Sequence, residues 1–227
     1  MSTTASAPLQ NRDLKAAAKR LYADASGPGR TIQSLRPYIC PFTRLLDFVP
    51  PHARVLDIGC GAGLLLALAA DTRPLGASVG FDSSGKAIDV AKLAAKRLSA
   101  EGKSVPEFVR LDVRDPWPAG TYDVVAMIDV LHHVPVPAQQ SAIMQAVAAV
   151  PPGGTFVYKD IAPRPRWRAW MNRLHDLVMA RQWIHYVFAD RVVEWATAGG
   201  LTLRHREWIP QLWYGHDLLV FDRPAGG

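Results

Sequence analysis

Cysteine is nearly absent: Cys40 and Cys60 are the two in 227 residues, too few for a disulfide framework. Cys60 stands in a glycine-rich stretch where a cross-link would obstruct whatever approaches, so a reduced, cytoplasmic protein is expected. No apolar run nears the ~20 residues that span a bilayer. Met1 to Pro8 is rich in Ser, Thr and Ala and lacks the apolar core of a secretory signal, so residues 1–10 read as a disordered tail. There is no run of five basic residues and no separate RNA-binding module, which argues against nucleic acid as a partner. Asp129 and Asp160 without a further clear ligand make a poor magnesium site, and no metal is expected.

What is present suits one domain over residues 1–227, with 49% hydrophobic and 20% charged residues. The net charge of +6 is uneven. Residues 1–52 carry 7 basic and 3 acidic side chains, 53–159 carry 10 of each, and 160–227 carry 9 and 7. The excess lies outside the central segment, either as solvated surface or as cover for an anionic ligand.

Residues 53–63, Ala-Arg-Val-Leu-Asp-Ile-Gly-Cys-Gly-Ala-Gly, carry the strongest signal. Val55, Leu56 and Ile58 make a short buried strand, and Gly59, Gly61 and Gly63 remove the Cβ atoms that would keep a ligand off the backbone. An Ala/Leu-rich helix follows from Leu64 to Ala70, with its first N–H groups toward the loop. A dinucleotide loop would put its third glycine where Leu64 stands, and no Tyr-x-x-x-Lys pair sits on a helix, so a nicotinamide-dependent reductase is disfavoured. Further apolar strands run from Ala77 to Asp82, Phe108 to Val113, Tyr122 to Ile128 and Thr155 to Asp160, with a closing hairpin of Leu201 to Trp208 and Asp217 to Asp222.

The Asp57-x-Gly59-x-Gly61-x-Gly63 pattern resembles the first motif of class I S-adenosylmethionine (SAM) methyltransferases. Acids at the ends of later strands, Asp129-Val130-Leu131-His132-His133-Val134, and the turn Pro151-Pro152-Gly153-Gly154 continue the likeness over about residues 50–223. The Leu-His-His segment is similar to the ubiquinone/menaquinone-type small-molecule enzymes, and the Asn-Pro-Pro-Tyr loop of base methylation is missing. The resemblance implies an α/β fold, a Rossmann-like doubly wound seven-stranded sheet, mostly parallel with an antiparallel last strand. It implies SAM as cofactor, held by Asp57, Gly59, Cys60, Gly61 and Gly63, with Asp82 and Ser83 at the ribose, Asp112 and Val113 at the adenine, and Asp129. Residues 11–47 are expected to form a cap of one or two helices broken at Gly27-Pro28-Gly29, with Tyr22, Arg30, Arg36 or Tyr38 closing the methionine end.

Methyl transfer needs alignment, desolvation and, for a hydroxyl acceptor, a base. His132 and His133 are the candidates for that base, and adjacent residues leaving a strand should point to opposite sides, so that one serves. Trp167, Trp170, Tyr214 and His216 are candidate acceptor contacts, the first two in an aromatic and basic insertion at 164–188 with helical spacing that reads as a lid. The insertion also admits ordinary packing, a homodimer face or peripheral membrane contact. The expected function is O- or C-methylation of a small molecule, such as a phenolic, hydroxy-acid or acyl-linked acceptor. A non-catalytic SAM-binding regulator or scaffold, and less so an RNA methyltransferase, are the alternatives.

Overall fold

The computed structural model describes residues 9–163, 185–212 and 214–226. Most of the expected tail and of the 164–188 lid, including Trp167 and Trp170, lies outside the described residues.

Val55–Ile58 (β1) is buried at all four positions, the pattern of a strand covered on both faces. It is flanked by Val79–Asp82 (β2) and Val124–Ile128 (β4), with Glu107–Arg110 (β3) beyond β2 and Thr155–Ile161 (β5) beyond β4. These five strands pair in parallel. Tyr214–Asp222 (β7) runs antiparallel to β5 and to Thr202–Gln211 (β6), giving the order β3-β2-β1-β4-β5-β7-β6. The expected seven-stranded sheet with an antiparallel last strand is therefore present.

Alternate strand residues serve two cores, because successive side chains point to opposite faces. Val55, Val124, Ala126 and Val157 pack on one side with α1 (Asn11–Leu21), α3 (Phe42–Leu46), α4 (Leu64–Thr72) and α5 (Gly85–Ala100). Leu56, Val125, Met127 and Phe156 pack on the other with α6 (Val136–Ala149) and α7 (Ala189–Ala198). Leu64 to Ala70 of α4 is buried without a break, so this stretch has no solvent face: it lies between the sheet and α1, α3 and α5.

Several boundaries differ from expectation. The N-terminal segment holds three helices, α1, α2 (Pro28–Ile39) and α3. The break expected at Gly27-Pro28-Gly29 falls between α1 and α2, but Pro28 and Gly29 belong to α2, with Gly27 as N-cap at φ 60° and Pro28 in the first turn, where a missing N–H costs nothing. β3 ends at Arg110, because Asp112 and Asp115 turn the chain through an Asp115 N–H to Asp112 carbonyl bond. β4 starts at Val124, since Asp123 is engaged by the Arg54 amide and guanidinium. β7 begins at Tyr214, so Tyr214 and His216 are strand residues with fixed orientation.

Neighbouring strands β1 and β4 send their following helices to opposite faces, α4 to one and α6 to the other. A crevice opens beyond the strand ends at such a switch point.

Candidate active site

The three loop glycines all have positive φ, 63° at Gly59, 55° at Gly61 and 73° at Gly63. They do different jobs. A Cβ on Gly59 would enter Val130, and one on Gly63 would enter the Phe108 ring, so these two serve close packing. At Gly61 the nearest atom is the Arg36 Nη1 at 3.9 Å, so the open space there is available to a ligand. Asp82 holds the loop: its carboxylate accepts from the Gly61 N–H at 2.9 Å and the Ser84 N–H at 2.8 Å. From above, the buried Tyr22 hydroxyl donates to the Ala62 carbonyl at 2.7 Å.

Two cavities flank this loop, of about 350 and 420 Å³, and both are walled by Gly59, Asp82, Asp129 and His133. The first also takes in Asp57, Cys60, Gly61, His132, Tyr214 and His216, under a lid formed by Ile32, Gln33, Arg36 and Ile39 of α2. The second takes in Ser83, Asp112 and Val113. Of the motif and acceptor residues expected at the site and described, Gly63 alone lines neither cavity, and of the four cap candidates Arg36 lines the first while Tyr22, Arg30 and Tyr38 line neither. Asp112 is less available than its strand-end position suggested, because the Arg114 guanidinium contacts both its oxygens at 2.8 Å and holds its pKa down to about 2.

Charge is handled unevenly around the first cavity. Asp57 is 2% exposed and has no hydrogen-bond or ion-pair partner among the described residues. Burial, and then the nearby Asp82 carboxylate, push its pKa up to about 8. Asp129 has φ 57°, unusual for a residue with a side chain, and accepts from the wholly buried Lys159 ammonium at 2.6 Å. Burial works against its charge too, but Lys159 first, and Arg36 beside it, hold it well below the ordinary carboxylate range. The Arg36 guanidinium stands 3.7 Å from the same carboxylate, too far for a hydrogen bond.

His132 and His133 do not point to opposite sides. They follow β4 in a short 3-10 turn, Leu131–His133, where successive side chains rotate by about a third of a turn. Their rings lie 4.0 Å apart, and both line the first cavity. His132 is 3% exposed, and its Nδ1 is bonded to Asp160 Oδ1. Asp160 is itself fixed by the Ile161 N–H at 2.7 Å, the His132 N–H at 3.2 Å and the Tyr158 hydroxyl at 3.3 Å. Against a carboxylate, Nδ1 is the protonated ring nitrogen and Nε2 the basic one. Gln139 braces the turn: its side-chain NH2 reaches the carbonyls of Leu131, Val134 and His185, each at 3.2 Å. His216 donates from Nε2 to the Ile39 carbonyl at 2.8 Å, and burial, then Lys159, lower its pKa to about 3. It stays neutral, and its Nδ1 has no hydrogen-bond partner among the described residues.

A model of the methyltransferase domain matches residues 32–206, from α2 to β6. The chain belongs to the methyltransferase family, with S-adenosylmethionine as its methyl donor. A ubiquinone biosynthesis O-methyltransferase of Xanthomonas campestris is 33% identical over 171 residues, 72% of this chain and 66% of that protein. The matched stretch thus falls a little short of two thirds of that relative's length. The Thiobacillus denitrificans protein of the same name is 41% identical over 122 residues, 52% of this chain and 49% of its own. Among solved structures, magnesium protoporphyrin IX methyltransferase from Synechocystis is similar at a TM-score of 0.68 and 19% identity, covering 92% of this chain and 93% of that one. A 4+2 cyclase shares the fold at a TM-score of 0.64 and 16% identity, covering 100% of both chains. At such identities the likeness shows the fold alone, and the reaction of this methyltransferase must be argued from its site.

The site fits the family's cofactor on its own terms. A buried, unpartnered carboxyl at Asp57, open space over Gly61 and a guanidinium without a firm acceptor lie together in the first cavity, where a zwitterionic ligand would meet all three. Sequence reasoning missed Lys159 as the partner of Asp129, Asp160 as the partner of His132, and the bracing by Gln139. Lys159 and Asp160 are adjacent in β5, and an acid beside a lysine in an apolar strand was the available signal.

Proposed function

We propose that this methyltransferase moves a methyl group to a hydroxyl oxygen of a small molecule, with His132 as general base. The observation that carries the reading is the buried His132–Asp160 pair in the wall of the first cavity.

The cofactor's nucleoside belongs in the second cavity, with Asp112 and Val113 at the adenine and Asp82 and Ser83 at the ribose. Asp82 keeps lone pairs for hydroxyls beyond the two backbone N–H groups that it accepts. The amino-acid end belongs in the first cavity, with Gly59, Cys60 and Gly61 beneath it, Arg36 for its carboxylate, and Asp57 and Asp129 for its ammonium. Bound there, the cofactor supplies an electrophilic methyl carbon.

The protein's own part is proton management and exclusion of water. His132 takes the hydroxyl proton at Nε2 as the oxygen becomes nucleophilic, and Asp160 stabilises the imidazolium that forms. Three further donors on Asp160 keep that carboxylate oriented when His132 is neutral. Tyr214 and His216, stacked with ring centroids 5.9 Å apart on β7, form the acceptor side of the cavity. His216 is too weak a base to remove a proton, and it acts as a neutral contact. The names of the relatives support oxygen over carbon as the methylated atom. Phenols and hydroxy acids are the acceptor classes that a buried histidine base suits.

Product formation tests the reading. Mass spectrometry of incubations with phenols and hydroxy acids should show a mass gain of one methyl group, lost in His132→Asn while S-adenosylhomocysteine still binds. Equal rates for His132→Asn and wild type would remove the general base from the account.

A further inference from the structure

α2 turns Ile32, Gln33, Arg36 and Ile39 toward the first cavity. Gln33 is out of character there. It is 7% exposed, its Oε1 is buried without a partner, and its side-chain NH2 makes no hydrogen bond among the described residues. Buried amides are bonded as a rule, because an unmet polar group loses its hydration for nothing. A half-turn about the last side-chain bond exchanges O and N, and no protein partner fixes either orientation. Arg36 lies one turn further along, on the same helix face, with Cβ atoms roughly 5–6 Å apart at this spacing. Its guanidinium makes no hydrogen bond to Asp129, which is already engaged by Lys159 at 2.6 Å. Two nitrogen donors thus face one cavity with no committed acceptor, and a carboxylate offers about four lone-pair sites to satisfy both.

We propose that Gln33 is a second ligand of the cofactor's carboxylate, donating from its side-chain NH2 beside the Arg36 guanidinium. The inference rests on the placement of the amino-acid end in this cavity. It makes the cap read the zwitterion and not the nucleoside, and it accounts for an amide that the fold itself does not use.

The test compares S-adenosylhomocysteine with 5′-methylthioadenosine, which lacks the amino-acid end, by calorimetry on wild type and Gln33→Met. Methionine keeps the length and bulk of the side chain without its polar atoms. The expected result is a Kd for S-adenosylhomocysteine weakened about tenfold, a Kd for 5′-methylthioadenosine within twofold of wild type, and a ligand-free thermal midpoint equal or higher. Gln33→Glu should weaken S-adenosylhomocysteine further, with carboxylate set against carboxylate, and again spare 5′-methylthioadenosine. Unchanged affinity for S-adenosylhomocysteine in Gln33→Met would overturn the proposal, as would an equal loss for both ligands or a lowered ligand-free midpoint. Where Arg36→Ala separates the two ligands and Gln33→Met does not, this inference falls alone. Where wild type binds neither ligand, the cofactor placement falls with it.

Discussion

Asp57 and Asp129 stand on the adjoining central strand β1 and just past the end of β4, face one cavity, and differ in almost every electrostatic respect. Both are penalised by burial. Asp57 has a like charge in Asp82 and Arg36 alone opposing it, and rises to about 8, whereas Asp129 accepts from the Lys159 ammonium with Arg36 beside it and is held low. Burial sets the cost of a charge, and the groups facing it decide whether the charge is kept. The β4–β5 side of the cavity is neutralised within the protein and holds His132 rigid through Asp160. The β1 side is short of a cation, which the ligand's ammonium would supply.

The paired side breaks most visibly in turnover. Asp160→Asn should lower kcat by roughly 10²–10⁴ with little change in S-adenosylhomocysteine affinity, since it unseats the base and leaves the cofactor lobe intact. Steady-state kinetics beside calorimetry would show it.

Asp129→Asn should cost about 3–5 kcal/mol in urea unfolding, because Lys159 is 0% exposed and would lose the carboxylate at 2.6 Å. Adding Lys159→Met should recover most of that loss, and failure to recover would mean that Asp129 acts on stability through its backbone conformation.

Asp57→Asn should do the reverse. A carboxyl with a raised folded-state pKa favours the fold at low pH, and that contribution is lost as pH climbs from the ordinary carboxylate range through about 8. The Asn variant does not titrate. Its stability relative to wild type should rise by on the order of 4 kcal/mol between pH 5 and pH 8, read from thermal midpoints at the two pH values. A gap that is constant with pH would show that Asp57 is not the titrating group.

Gln139→Leu, which removes three 3.2 Å contacts at the His132 turn, should cost about 1 kcal/mol and lower kcat more than it raises the acceptor KM. An unchanged kcat would show that the turn holds without it.

The lobe around β1 and β2 was legible because its parts are close in sequence: three glycines in five residues, and an acid about 20 residues on that was expected at the ribose and that also holds the loop. The seven-stranded sheet with its antiparallel last strand followed from the family resemblance that these motifs carry. The paired lobe was harder. His132 meets Asp160 across 28 residues, and His216 meets Ile39 across 177, with no local pattern to announce either. The two histidines were given opposite directions because they were assigned to strand geometry, and a 3-10 turn rotates them together. Gln33 was invisible for another reason: a glutamine in a helix is ordinary until its burial and missing partners are known.

The most direct test titrates S-adenosylhomocysteine into the protein at pH 7, in two buffers of different ionisation enthalpy. The account predicts saturable binding with proton release, because an ammonium brought to Asp57 lowers a pKa of about 8 and expels its proton. Binding without proton release would contradict the role given to Asp57, and no binding to the folded protein would contradict the cofactor site as a whole.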